Sequence, residues 1–574
     1  MKKSSNRIIY NRDFINIEFK MIARITVYTI LLTASLSIRT HCAPAAVAVP
    51  DKYAADVAAK ILMAGGNAID VAVAVGFSLA VTYPEAGNIG GGGFLTSFIN
   101  GETAFLDFRE SAPSRATRKM FLDNNDNFLQ RRALIGGLAS GVPGTVRGLR
   151  EAHDRYGSLP WNILLAPAVK LAERGFRVDP SLEKSITNRR IDINGETNFS
   201  KYFGRARAGR LFTQPELAST LSVIAEDPDD FYRGSIAGKI VNQMQASDGL
   251  ISLDDLEDYQ AIWREPIKIK WRDFLVVTAP PPSSGGVALV QLLKMWDLTK
   301  KAGVTPLHNS AQHIHIMAEI SKRVFADRAE YLGDPDFVDN RITELLDDEY
   351  LINRSKTVNH VAISSSPETS PGLESNDTTH FSIIDHEGNA VALTFTLNWE
   401  FGSGVVVHNA GFLLNNEMDD FASKPGTPNQ FGVVGNEKNS IQPNKRMLSS
   451  MTPTLLLKEN NAALVIGSPG GPTIFTSIFQ ALINLYDFKL PLQAAIDATR
   501  FHHQLPMAHT IVHDQRPIHE KIVNELNQLG YNVIENPWGN LGDLQAVSRE
   551  KGVVKAATDN RGRGISRIIF ENDH

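Results

Sequence analysis

The chain has 574 residues, of which 43% are apolar and 21% are charged, and its formal net charge is −5. This composition is typical of a folded globular protein, and the lack of a basic excess argues against nucleic acid as a main partner. The single cysteine, Cys42, excludes an intramolecular disulfide and any metal site built on cysteines.

The N-terminal segment is typical of an export signal. Arg24 precedes the apolar run 25–38, which is short for a membrane span, and small residues follow at 43–46. We therefore predict a leader over residues 1–46 and a protein that is periplasmic or secreted. Two alternatives stay open: a retained membrane anchor, and a true start at Met21.

Small apolar residues dominate the segment 51–81, and they recur at helical spacing on both sides of Gly65-Gly66. This pattern predicts two closely packed helices joined by a glycine turn. Beyond the glycine-rich run 87–93, two strands are predicted over 94–99 and 103–108. Asn100-Gly101 between them is a strong hairpin turn.

The middle of the chain is predicted to be mostly helical. Residues 310–331 carry apolar side chains on one face of a helix, and the proline-rich stretch 280–286 before it predicts a rigid loop. The polar stretch 364–377 has the composition of an exposed, cleavable linker.

Directly after this linker the pattern changes to strands. The segments 378–385 and 390–398 predict a hairpin. In the second strand, the alternation puts Ala392, Thr394, Thr396 and Asn398 on one face. Centring the turn on Glu387-Gly388 predicts that Thr378 lies opposite Leu397, at the edge of this small polar face.

Thr378 becomes chemically significant if the chain is cut between Asp377 and Thr378. The new α-amine, with a pKa of roughly 7.7–8.0, would then act as a general base for the hydroxyl of its own residue. Taken alone, two threonines at the start of a strand indicate only β-propensity.

Seven ordered motifs make the chain resemble the gamma-glutamyltransferases, which are N-terminal-nucleophile hydrolases. Besides Thr378-Thr379-His380, which resembles the start of their small subunit, the motifs are GNIGGGGF (87–94), DFRE (107–110), PPPSSGG (280–286), EYLGDPDF (330–337), LLNNEMDD (413–420), LSSMTP (448–453) and GSPGG (467–471). The combination is specific, whereas each motif alone is weak.

The resemblance implies a role for each matching residue. Thr378 is the expected nucleophile and its own base, Thr396 is expected to hydrogen-bond its hydroxyl, and the backbone N–H groups of Gly470 and Gly471 are expected to stabilise the oxyanion. The substrate α-carboxylate is expected to bind Arg109, Ser449 and Ser450. The α-ammonium is expected to bind Asn398, Glu417 and Asp420. Without the resemblance, the charged residues would be interpreted as surface groups, and the serines and glycines as turns.

The resemblance also implies a fold and an activity. The fold is an α+β four-layer αββα sandwich with two stacked antiparallel sheets. Self-cleavage gives a large subunit (47–377) and a small subunit (378–574) that stay together as a heterodimer. The enzyme forms a γ-glutamyl ester on Thr378 from glutathione or a related compound, and water, an amino acid or a peptide then resolves the ester. No cofactor or metal is required.

Two alternatives remain open at this stage. One is an acylase of the same fold that acts on a glutaryl or cephalosporin-type group. Asp420 argues against it, because such a substrate lacks the α-amine that this acid would bind. The other is a non-catalytic exported binding protein. In addition, the loop 424–435 carries Phe431 and resembles a lid over the site; a plain surface loop is the alternative.

Overall fold

Two antiparallel β-sheets form the centre of the protein, and each has its outer face covered by helices. The computed structural model describes residues 43–364, 378–429, 432–505, 509–537 and 539–571. Most of the predicted leader, the predicted cleavage residue Asp377 and the loop residue Phe431 lie outside the described residues.

The described part of the chain forms strands of two to eight residues. In chain order they are β1 (Ala45–Val49), β2 (Gly92–Ile99), β3 (Glu102–Phe108), β4 (Phe176–Arg177), β5 (Leu211–Phe212), β6 (Ile262–Arg264), β7 (Ile267–Trp271), β8 (Phe274–Thr278), β9 (Thr379–Ile384), β10 (Ala390–Thr396), β11 (Thr454–Lys458), β12 (Asn461–Gly467), β13 (Phe501–His502), β14 (Thr510–His513), β15 (Asn532–Glu535), β16 (Gln545–Glu550), β17 (Val553–Thr558) and β18 (Ile565–Ile569).

The helices are α1 (Lys52–Met63), α2 (Ala68–Thr82), α3 (Gln130–Leu134), α4 (Thr145–Tyr156), α5 (Trp161–Arg174), α6 (Pro180–Ile193), α7 (Phe199–Phe203), α8 (Pro215–Glu226), α9 (Asp230–Arg233), α10 (Ser235–Ala246), α11 (Leu253–Glu257), α12 (Gly285–Lys301), α13 (Ala311–Tyr331), α14 (Ile342–Leu345), α15 (Asp348–Lys356), α16 (Thr473–Tyr486), α17 (Leu492–Asp497) and α18 (Glu520–Leu529). Short 3₁₀ turns cover Gly137–Ala139, Glu417–Asp420 and Glu437–Asn439.

The two large sheets are antiparallel throughout. One has the strand order β18-β1-β9-β10-β2-β3-β6, and the other has the order β17-β16-β12-β11-β8-β7. The described residues also form two smaller sheets, β13-β14-β15 and β4-β5. In the first large sheet β9 and β10 lie between β1 and β2. Strands from before and after residue 378 are therefore interleaved in one sheet.

Three apolar cores separate four layers. Small side chains such as Ala46, Ala392 and Val465 fill the space between the two sheets. The outer face of the first sheet packs against α1, α2 and α4, and the outer face of the second packs against α12, α16 and α17. This is the predicted αββα arrangement.

The two N-terminal helices form as predicted because their ends are capped. The Asp51 side chain accepts a hydrogen bond from the N–H of Ala54 at the start of α1. Asn67 and Asp70 form a reciprocal capping box at the start of α2. Gly65, between the helices, has a φ of +84°, which favours glycine. In the middle of the chain, α13 begins after its cap Ser310, as predicted. The loop at 280–286 is shorter than predicted, because Gly285 and Gly286 already belong to α12.

Strand β1 begins at Ala45. Ala45 pairs with Ile569, and Ala46 pairs with both Ile568 and Ile384, so both alanines belong to the first sheet. Within the described residues, no helix combines the length and the apolar character that a membrane span requires.

Candidate active site

The hairpin of β9 and β10 places Thr378 beside Thr396. The register pairs Thr379 with Phe395, which puts Thr378 opposite Thr396, and the two hydroxyl oxygens lie 3.5 Å apart. The prediction that Thr378 faces Leu397 was therefore wrong by one residue. The turn is one residue longer than a two-residue hairpin: its ends pair at Asp385 and Asn389, and Gly388 has a φ of +94°.

Thr396 also fixes the chain that follows it. Its hydroxyl accepts a hydrogen bond of 2.8 Å from the N–H of Asn398. Asn398 has a φ of +77°, a conformation uncommon outside glycine, and its side-chain amide donates to the carbonyl of Asn416 at 3.0 Å. These bonds hold Asn398 next to the short turn that contains Glu417 and Asp420.

Arg109 lies directly after β3, and its side chain is only 1% exposed. Its guanidinium contacts Glu417 at 2.6 Å and also pairs with Asp420 and, at 3.6 Å, with Glu110. A single planar cation thus meets carboxylates that come from two distant parts of the chain. We call Arg109, Glu417 and Asp420 the charged clamp.

Burial controls the ionisation of this group. It raises the pKa of Glu110 to about 8 and raises the pKa values of Glu417 and Asp420, although Arg109 opposes each of these shifts. For Arg109, burial alone would lower the pKa, but the surrounding carboxylates outweigh this effect and raise it. Arg109 therefore stays charged while three carboxyl groups share its single positive charge.

Ser449 and Ser450 also line the site. Ser449 is tied to the loop before α12, because the N–H of Ser284 donates to its carbonyl at 2.8 Å. Arg328 on α13 donates to the hydroxyl of Ser284 at 2.9 Å and to that of Ser450 at 3.4 Å. Arg328 is therefore a second buried cation at the site, and it was not among the predicted site residues.

Arg328 had a signal in the sequence. It lies three and four residues after Phe325 and Val324, so it continues the apolar stripe of α13. A charged residue on a buried helix face needs a partner, which marks it as a candidate for the site.

Gly470 and Gly471 form the loop between β12 and α16. Their φ values of +128° and +52° lie where glycine is favoured. The N–H and hydroxyl of Thr473 both donate to the carbonyl of Gly470, at 3.0 and 2.7 Å. The loop therefore lies at the N-terminus of α16, where exposed N–H groups and the helix dipole favour negative charge.

One cavity is lined by nearly all of the predicted site residues. Its lining includes Arg109, Thr378, Thr396, Asn398, Glu417, Asp420, Ser449, Ser450 and Gly471, together with Arg328 and Asn439. Gly470 precedes Gly471 but does not line this cavity. Among the described residues, no group of three or more His, Cys, Asp and Glu side chains is placed to hold a metal ion.

Known proteins are similar to this chain in sequence and in fold. A sequence model described as gamma-glutamyltranspeptidase matches residues 54–568. A glutathione hydrolase proenzyme of Pseudomonas aeruginosa is 52% identical over 530 residues, which cover 91% of this chain and 94% of that protein.

Two solved structures are also similar. A cephalosporin acylase from Bacillus halodurans has a TM-score of 0.81 at 28% identity, with 92% of this chain and 96% of that chain covered. A gamma-glutamyltranspeptidase from Pseudomonas nitroreducens, complexed with L-DON, has a TM-score of 0.55 at 50% identity. The match covers 55% of this chain and 95% of that chain.

Proposed function

Because the chain belongs to the gamma-glutamyltranspeptidase family, we propose that it is a self-cleaving gamma-glutamyltransferase and glutathione hydrolase with Thr378 as its nucleophile. One observation carries this proposal: the hydroxyl pair of Thr378 and Thr396 lines the same cavity as the charged clamp. A nucleophile beside a site for an amino-acid end group is what a γ-glutamyl substrate requires.

The proenzyme is cut between Asp377 and Thr378. The hydroxyl of Thr378 attacks the carbonyl of Asp377, and the amide C–N bond breaks as the ester forms, which frees the α-amine of Thr378. Water then hydrolyses this ester and releases the hydroxyl of Thr378 and the carboxylate of Asp377. That amine, with a pKa of roughly 7.7–8.0, then takes the proton of the hydroxyl in each catalytic cycle. The interleaving of strands in the first sheet supports a large subunit that ends at Asp377 and a small subunit (378–574) that stay together as a heterodimer.

The clamp binds the zwitterionic end of the γ-glutamyl group. Arg109, with the hydroxyls of Ser449 and Ser450, takes the α-carboxylate, and the α-ammonium binds Asn398, Glu417 and Asp420. Without substrate the clamp residues pair with one another. Substrate binding replaces these ion pairs with equivalent ones, so no buried charge is left unpaired.

Catalysis then follows a double displacement. The Thr378 oxygen adds to the γ-carbonyl, and the oxyanion is stabilised by the N–H groups of Gly470 and Gly471 at the start of α16. The C–N bond breaks, the amine leaves with a proton, and a γ-glutamyl ester remains on Thr378. Water or the amine of an amino acid or peptide resolves this ester.

The fold similarity to the cephalosporin acylase favours the acylase alternative. The clamp favours the γ-glutamyl substrate, because Glu417 and Asp420 have no ammonium to bind in a glutaryl group. Comparing hydrolysis of γ-glutamyl anilide and glutaryl anilide separates the two. We expect at least a hundredfold preference for the γ-glutamyl compound. The carboxylate of a glutaryl group would bind Arg109 and leave Glu417 and Asp420 without a cationic partner.

We also propose that the chain is exported through its N-terminal leader. The strand pairing of Ala45 and Ala46 favours a cut before Ala45, rather than after residue 46 as the sequence analysis has it. Mass spectrometry of the exported large subunit measures this position. An N-terminus beyond Ala45 would contradict the revised boundary.

The variant Thr378→Ala tests the proposed function directly. We expect a single uncut chain without γ-glutamyl hydrolysis, because the variant lacks the attacking hydroxyl. Thr379→Ala is the matched control, since Thr379 follows on the same strand but pairs with Phe395. A Thr378→Ala protein that is fully processed would refute self-cleavage.

A further inference from the structure

Thr378 lines a second cavity as well as the clamp cavity. The second cavity is much larger, with about 950 Å³ of free volume against about 40 Å³ beside the clamp. Its walls come from α6, from the residues that follow β10 and from the segment before β16, and they include Lys184, Glu400 and Asp543.

Two cavities that meet at one nucleophile have a direct chemical meaning. An acyl-transfer site must hold the acyl group on one side of the reacting carbonyl and the amine on the other. The clamp is on the first side, so the leaving amine and the incoming amine must use the space on the second side. Within the described part of the chain, the second cavity provides this space for the amine.

We infer that this second cavity binds the amine partner of the reaction as a zwitterion, with Asp543 for its ammonium and Lys184 for its carboxylate. This inference rests on the proposed function and extends it, because it assigns the residues that select the acceptor.

Most charges in the cavity are already neutralised. Arg131 pairs with Glu196 at 2.9 Å, and Arg189 pairs with Asp192 at 2.5 Å. Arg561 is bound by Asp514 and Asp559, each at 2.9 Å. These arginines are held by the protein and are not the groups that select a ligand.

Lys184 and Asp543 differ from these paired arginines. Neither forms an ion pair within the described part of the chain. Lys184 is exposed on α6, and Asn188 lies one helical turn further on the same wall. Asp543 is half-buried, and its carboxylate accepts a hydrogen bond of 3.2 Å from the side chain of Gln545.

Glu400 is held more firmly, because it accepts a hydrogen bond of 2.9 Å from the Ser185 hydroxyl. Burial raises the pKa of Asp543 to about 8 and the nearby Asp559 adds to this shift, whereas Arg500, Arg561 and Arg563 oppose it. An ammonium ion brought beside Asp543 would favour its charged form, so binding and ionisation would support each other.

The bonds and protons of the transfer step are accounted for by the acceptor and Thr378. The acceptor amine, after losing its extra proton, attacks the ester carbonyl carbon of the γ-glutamyl enzyme. A C–N bond forms and the bond from that carbon to the Thr378 oxygen breaks. The remaining amine proton passes through the α-amine of Thr378 to that oxygen. Lys184 and Asp543 bind and orient the acceptor and take no part in bond breaking.

Acceptor kinetics test the assignment. The donor is a γ-glutamyl anilide, whose aniline has no carboxylate, and the acceptors are glycylglycine and its C-terminal amide. Lys184→Gln should lower the ratio of kcat/KM for glycylglycine to that for the amide by about two- to fivefold, the range of an exposed ion pair. Lys170→Gln, on the exposed face of α5, is the matched control and should leave the ratio unchanged.

Asp543→Asn should raise the KM of both acceptors by about tenfold, because both carry the ammonium group. An unchanged ratio in Lys184→Gln, or unchanged acceptor KM values in a folded Asp543→Asn, would overturn the inference. If Asp543→Asn fails to fold, the ratio in Lys184→Gln decides alone. A wild-type protein that releases no aniline would instead refute the proposed function.

Discussion

The variant Thr396→Val tests the role of the Thr396 hydroxyl, which contacts both Thr378 and Asn398. Valine has nearly the same shape, but it removes the acceptor of the Asn398 N–H and the group 3.5 Å from the Thr378 hydroxyl. Leaving the buried N–H unpaired costs about 1–3 kcal/mol of unfolding free energy. Misplacing Thr378 and Asn398 should slow self-cleavage and γ-glutamyl hydrolysis by about 10- to 100-fold.

Thr394→Val is a matched control on the same face of β10. Its hydroxyl lies 2.7 Å from a ring nitrogen of the buried His380, so its removal costs a similar amount of stability. It contacts neither Thr378 nor Asn398, and we therefore expect self-cleavage within about twofold of wild type.

The assay follows loss of the full-length chain on a denaturing gel after expression, together with urea unfolding of each variant. Thr396→Ser should restore cleavage, because it returns the hydroxyl. Equal cleavage rates in Thr396→Val and Thr394→Val, at equal stability, would refute the role given to Thr396.

Three further predictions concern the clamp, the oxyanion loop and ionisation. Arg109→Lys keeps the charge but loses the planar fork, so the KM for a γ-glutamyl anilide should rise about 10- to 100-fold; the exposed Arg118→Lys should leave it unchanged, and a similar KM in both would contradict the clamp. Gly470→Ala should lower kcat about 100-fold by straining the loop, whereas Gly195→Ala, also at positive φ but in open space, should not; equal kcat values would exclude an oxyanion role for the loop. Glu110, with a folded pKa of about 8, stays protonated in the folded protein at pH values where the unfolded chain is ionised, so the contribution of Glu110 to stability falls as pH rises from 5 to 8. In urea unfolding at pH 5, 6.5 and 8, Glu110→Gln should therefore gain on wild type by up to about 1.4 kcal/mol per pH unit, and a constant difference would contradict this ionisation.

Local periodicity predicted the faces of the strands better than their pairing. The alternation over 390–398 correctly placed Ala392, Thr394 and Thr396 on one side, because successive side chains point to opposite faces of a sheet. The pairing with β9 was wrong by one residue, because the register depends on turn length. Gly388 allows a turn that is longer by one residue, which the strand pattern alone does not reveal.

The periodicity of apolar residues in the sequence cannot predict the charged clamp. Arg109 and Asp420 are 311 residues apart in sequence, and only the resemblance to a known family brought them together. Arg328 shows the same limit, since its hydroxyl partners Ser284 and Ser450 lie 44 and 122 residues away. Contacts of this kind depend on how the two sheets stack, which short sequence windows do not encode.

N-terminal sequencing of the mature, active protein tests the central claim most directly. The account predicts two chains, one of which begins Thr-Thr-His-Phe-Ser at Thr378. Active enzyme that consists of a single uncut chain, or of chains that begin elsewhere than Thr378 and the processed leader, would contradict it.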